Sequence, residues 1–162
     1  MTKLRICAAL ALAGSLGLAH ADSLPEVHEG LWQIDMQSID NPGNKKSTVS
    51  YKLCRDHAYD KAGQALAKNI KGRGPLNATY GGGNMSSEMR CTVGGTVIES
   101  KGTGTYSTTA SHTETHATYT PAFYGNTDEM MTQDQKYLGS CPAGMQPGDR
   151  MLPDGTIQHR RS

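Results

Sequence analysis

Two-residue alternation constrains this chain more than any other feature. In GLWQIDMQSI (30–39), Trp32, Ile34 and Met36 fall on one parity, and Gln33, Asp35 and Gln37 on the other. A period of two sends successive side chains to opposite faces, so the stretch predicts a half-buried β-strand. After a turn at NPGN (41–44), STVSYKLC (47–54) repeats the pattern with Val49, Tyr51 and Leu53 inward. NATY (77–80) leads through the turn GGGN (81–84) into MSSEMRCTV (85–93), where Met85, Ser87, Met89, Cys91 and Val93 share one parity. GG (94–95) turns the chain into TVIESKGTGTYS (96–107). HTETHATYT (112–120), a loop over 121–126 and EMMTQDQKYLGSC (129–141) complete the series. Connections this short predict antiparallel pairing of sequence neighbours.

The period changes once. In DHAYDKAGQALAKNI (56–70), Tyr59, Ala62, Leu66 and Ile70 recur at helical spacing, and Asp56 is placed to cap the N-terminus. The expected fold is therefore mainly β. It is an antiparallel meander of six to eight strands that curls into an open or nearly closed barrel, with one α-helix (about 56–70) against a side or end. Strand twist and the 19 glycines favour curling. Aromatic residues make up only 6% of the chain, with a single Phe, so the core is modest.

The N-terminus predicts a destination. Lys3 and Arg5 precede an apolar run, Ile6 to Leu18, that is too short to span a bilayer, and Ala19-His20-Ala21 offers a cleavage site. The expectation is a Sec signal peptide over 1–21, cut after Ala21, and a periplasmic product. A single β-rich domain over 22–141 and a loose Pro/Gly-rich tail over 142–162 would follow. No later run is apolar enough for a transmembrane helix, so no stable membrane insertion is expected. The whole chain has 16 Lys and Arg against 15 Asp and Glu, and loss of Lys3 and Arg5 leaves 14 against 15. That balance gives no electrostatic basis for binding nucleic acid.

Cys54, Cys91 and Cys141 remain after such a cut, and an odd count leaves one thiol over. Cys54 ends the second strand and Cys141 ends the last, which favours a Cys54–Cys141 disulfide with Cys91 as the odd cysteine; Cys54–Cys91 is the rival. None of the three forms a CxxC pair, so thioredoxin-like chemistry is not expected.

The order of motifs carries a resemblance. An export signal is followed by EGLWQIDMQS, a cysteine opening a short helix (CRDHAYDKA) and a Gly-rich hairpin ending in MSSEMRC. GTGTYS, a polar strand and QKYLGSCPAGMQPGD come next. This resembles the small exported bacterial proteins grouped as domain of unknown function 3617 (DUF3617), from about Gly30 to Asp149. Members resemble one another in being Met-rich and in usually carrying four cysteines, the second just before the Gly-rich hairpin. That cysteine is missing here, which the resemblance reads as the lost partner of Cys91. The resemblance implies a location and a fold, and no activity.

Candidate chemistry is sparse. His112, Glu114 and His116 are two apart in SHTETHATY, so a strand puts them on one face. Two imidazoles and a carboxylate suit Zn²⁺ or Cu²⁺, but the same period describes a solvated sheet face. The strands expected beside them offer Glu99, Met131 and Gln133 and no histidine. Met36, Met85, Met89, Met130, Met131, Met145 and Met151 are soft ligands for Cu(I), but the first three sit at strand parity, where methionine fills irregular cores. Met145 and Met151 read as scattered in the tail. GGG (81–83) and GTGTY (102–106) do not join a strand to a helix as phosphate loops do. No nucleophile elbow or convergent triad is visible. The leading expectation is a non-catalytic domain, with no catalytic residue and no cofactor, that binds a small ligand or an envelope partner through its curved sheet. The alternatives are a periplasmic Cu/Zn-binding protein using His112, Glu114 and His116, and a hydrolase with an unrecognised site.

Overall fold

A computed structural model describes residues 26–68 and 73–160. The expected signal peptide lies outside the described residues, as does Ile70. The described chain forms β1 (Gly30–Asn41), β2 (Lys45–Arg55), helix α1 (His57–Lys68), β3 (Arg73–Gly81), β4 (Asn84–Val93), β5 (Thr96–Tyr106), β6 (Ala110–Phe123), β7 (Asn126–Gly139), β8 (Arg150–Met151) and β9 (Ile157–Gln158). All nine strands join one open antiparallel sheet in the order β3-β4-β5-β6-β7-β1-β2-β8-β9.

The two Gly-rich turns form as their sequence dictates. Gly82 and Gly83 (φ 57° and 79°) and Gly94 and Gly95 (φ 58° and 86°) supply two consecutive left-handed residues, the requirement of a tight hairpin that matches strand twist. The expected loop over 121–126 shrinks to another two-residue turn, so β6 runs on to Phe123 and β7 starts at Asn126. Two pairings are long-range: β2 meets β8, and β1 pairs with β7 as well as with β2, with Ile34 opposite both Tyr51 and Gln135.

The alternation sorts residues as expected. Trp32, Ile34 and Leu53 are buried together, with Met36, Tyr51, Tyr59 and Tyr137 against them. Val49, expected inward with Leu53, lies 44% exposed, in the part of β2 that β8, paired only with Lys52 and Leu53, does not reach. A second cluster joins Met89, Cys91, Ile98, Ala117 and Tyr119.

The helix is capped as its sequence predicts: Asp56 Oδ1 accepts from the Tyr59 N–H at 2.6 Å. Its anchoring is concentrated at the first turn. Arg55 donates from Nε and Nη2 to both oxygens of Asp60, donates from Nη1 to Gln135 Oε1 at 3.0 Å, and stacks its guanidinium over Trp32. Leu66, expected on the packed face, is 65% exposed, because the helix leans on the sheet through Tyr59 rather than along its length.

The largest departure is at the C-terminus. Residues 142–160 are not a loose tail but a docked strap. Cys54 N–H donates to Asp149 O and Gly148 N–H donates to Cys54 O, which brings β8 alongside β2 at Lys52 and Leu53. Met145 is buried with Leu31 and Cys54, and Met151 packs on the same cluster, so these methionines are core residues. The Cys54–Cys141 disulfide fastens the start of the strap, at a sequence separation of 87. Cys91 is a buried thiol outside that bond.

Candidate functional site on the inner face of the sheet

Directly opposed residues of neighbouring strands point to the same face, so the registers define tiers across the sheet. The tier through the middle of the inner face runs Ser38, Met131, Thr115, Gly102, Ser87 and Ala78 from β1 to β3. Every side chain in it but Met131 is small. The tier on one side carries Met36, Gln133, Thr113, Gly104 and Met85. The tier on the other carries Asp40, Glu129, Ala117, Ser100 and Met89. Beyond them lie the Trp32 cluster at one end and the Ile98 cluster at the other. The inner face is thus apolar at both ends and polar across its waist.

Buried polar groups are normally hydrogen-bonded. Thr113 donates a long 3.5 Å bond to Gln133 O, and Tyr119 Oη donates to Glu129 Oε2 at 2.7 Å. Burial, reinforced by that carboxylate, holds the Tyr119 phenol well above its usual pKa of 10. Thr115 differs: it is 3% exposed and its Oγ1 has no hydrogen-bond partner among the described residues. A Cβ on Gly102 would stand 3.1 Å from Thr115 Oγ1 and 2.9 Å from Ser87 Oγ. Two hydroxyls from different strands therefore lean over one glycine from opposite sides.

The outer face holds the residues that the sequence singled out. His112, Glu114 and His116 do share that face, while Thr113, Thr115 and Ala117 of the same strand are buried on the other. Their ring nitrogens are divided among carboxylates. His112 Nδ1 meets Asp134 Oδ1 at 2.7 Å, and its Nε2 lies 3.7 Å from Glu114 Oε1. His116 Nε2 lies 3.6 Å from Asp128 Oδ1. The Asp134 hydrogen bond is the main reason the His112 pKa rises above its ordinary 6.5, with Glu114 adding to it. Among the described residues no three His, Cys, Asp or Glu side chains are grouped to hold a metal ion. The flanking strands are β5 and β7 as expected; Glu99 shares this face, Met131 and Gln133 point inward, and the β7 carboxylates that reach the two rings are Asp134 and Asp128.

A cleft of about 470 Å³ opens at the strap, lined by Gly144, Gln146, Pro147, Asp149, His159 and Arg160. Its one buried acid is fully used. Asp149 accepts from Gln146 N–H at 2.8 Å, Arg160 N–H at 2.9 Å and His159 Nδ1 at 3.0 Å. Those donors, the Gln146 N–H first, hold the carboxyl below its usual 3.8. The arrangement closes the strap on itself and commits the Asp149 carboxylate to that role.

Sequence reasoning missed Ser87, Gly102 and Thr115 as a set. In the sequence GTGTY shows only glycines within a strand, and Thr115 only a position of opposite parity to His112, Glu114 and His116. The parity was available; the register that aligns Gly102 between the two hydroxyls was not.

A one-sheet antiparallel meander with a polar waist and a disulfide-fastened C-terminal strap defines the class. The chain belongs to the DUF3617 family: the family model described as "Protein of unknown function (DUF3617)" matches residues 27–141. No curated protein and no solved structure matches the chain.

Proposed function

We propose that this protein is a non-catalytic, exported binding domain that takes a small ligand against the inner face of its sheet. The observation that carries this reading is the Thr115 hydroxyl, buried without a partner among the described residues in a tier of small side chains. A purely structural core loses stability by placing an unpaired hydroxyl there, whereas a curled sheet that parts to admit a ligand gains a directional contact. The Cys54–Cys141 disulfide suits an oxidising compartment such as the periplasm. No described helix is long and apolar enough to cross a membrane.

The single tryptophan makes the test direct. Trp32 lies 1% exposed on the inner face. Binding of the uncharged fluorophore N-phenyl-1-naphthylamine there quenches Trp32 emission by energy transfer and brightens the dye. A protein that leaves both signals unchanged at saturating dye is not a binder of this kind.

A further inference from the structure

We infer that Arg150 and Arg160 form an oxyanion site at the strap, which grips the carboxylate or phosphate groups of a small dianionic ligand. The site is separate from the waist of the inner face and does not rest on the reading above. The structure shows the occupied form of the motif once. Arg55 lies with its guanidinium 5.2 Å over the Trp32 ring, and its Nε and Nη2 grip the two carboxylate oxygens of Asp60 at 3.0 and 2.8 Å. An aromatic ring beneath a guanidinium holds it in place and leaves its N–H fork for a planar oxyanion. Two more arginines repeat the stack without the acid. Arg150 lies 5.0 Å over the Tyr51 ring, and Arg160 lies 5.5 Å over the Tyr59 ring. Both are exposed, and neither side chain has an ion pair or hydrogen bond among the described residues.

The fold brings the two forks together. Arg150 stands opposite Leu53 of β2 and Gln158 of β9. Arg160 comes two residues after Gln158 and is tied through its N–H to Asp149, the residue before Arg150. Its stem crosses Gly148, where a Cβ would stand 2.6 Å from Arg160 Cδ and 3.2 Å from the Tyr59 ring, so only a glycine leaves that path open. Tyr51 and Tyr59 pack on the same Trp32 cluster, which makes the rings under the two guanidiniums neighbours. The acids close by are already engaged, Asp60 by Arg55 and Asp149 by three N–H donors. The charge of Arg150 and Arg160 is left for an anion from outside.

The test titrates ¹⁵N-labelled protein with inorganic phosphate and with succinate at constant ionic strength, following the arginine Nε–H signals by NMR. The expected result is a saturating shift of Arg150 and Arg160 with a Kd of about 1 mM or tighter for at least one of the two anions. Arg55 stays unmoved, because Asp60 holds its fork. The tighter anion identifies the group, phosphate or carboxylate, that the natural ligand presents. Arg150→Gln and Arg160→Gln each weaken binding by about tenfold or more, and Arg150→Lys, which keeps the charge and loses the fork, also weakens it. Shifts that stay linear with both anions, or that chloride reproduces, overturn the inference. Saturation that survives both Arg→Gln changes in folded protein overturns it too, by placing the anion elsewhere. Variants that lose stability while the parent binds neither anion would make the two stacks packing alone.

Discussion

Thr115→Val inverts the usual sign of a core substitution. The hydroxyl removed is buried, its residue 3% exposed, and it has no partner among the described residues. Leaving a buried polar group unsatisfied costs about 1–3 kcal/mol. Valine keeps the β-branched shape that a strand favours, so propensity changes little. Val and Thr differ in a methyl for a hydroxyl, and minor repacking offsets part of the gain. The net expectation is stabilisation by about 1 kcal/mol, or an upward Tm shift of roughly 3–6 °C for a domain of this size. Urea titration with an unchanged m-value would assign the shift to stability rather than to a changed unfolded state. Thr113→Val is the matched control: that hydroxyl bonds Gln133 O, so its loss is neutral or destabilising by up to about 1 kcal/mol. If Thr115→Val destabilises the ligand-free protein as Thr113→Val does, the Thr115 hydroxyl has a structural partner and the waist is not a binding surface.

Three further outcomes test other parts of the structure. Cys141→Ser opens a bond of sequence separation 87 and lowers stability by roughly 2–5 kcal/mol by chemical denaturation, with the strap amides losing hydrogen-exchange protection first. His112 titrates above 6.5 by NMR, so its contribution to stability is present below that pH and is lost as pH rises through the raised value; Asp134→Asn brings the titration back toward 6.5. Asp149 has the opposite sign: its contribution is present above 3.8 and is lost as pH falls through its lowered folded value. Acidification therefore releases exchange protection at Gln146 and Arg160 before the central strands, and simultaneous loss everywhere would refute the clamp.

Much of the fold was legible because alternation is a local signal. Trp32, Ile34 and Leu53 declared their face, the Gly pairs declared their turns, and Asp56 declared the helix start. The Cys54–Cys141 bond followed from where the strands end. The strap was illegible for a physical reason: β8 and β9 are two residues each, too short to show any period, and the strap is held by backbone hydrogen bonds to Cys54 and by the Asp149 carboxylate. Leu66 misled because helical spacing shows an apolar stripe without showing whether the sheet reaches it. At the histidines, parity was readable and register was not. His112 could be assigned a face, but only the pairing of β6 with β7 reveals Asp134 opposite it.

The position of β1 between β2 and β7 sets the order in which the molecule can be completed. The first strand of the described chain waits for the last long strand, Asn126–Gly139, to arrive beside it. Until then an emerging chain carries β1 as an unfinished border, with Trp32 and Ile34 next to an unused ladder. Contacts of such sequence separation slow folding, and an open apolar border invites pairing with another copy of the chain. A nascent or truncated product ending before Asn126 is therefore a sticky half-sheet, and arrival of β7 is the event that seals it.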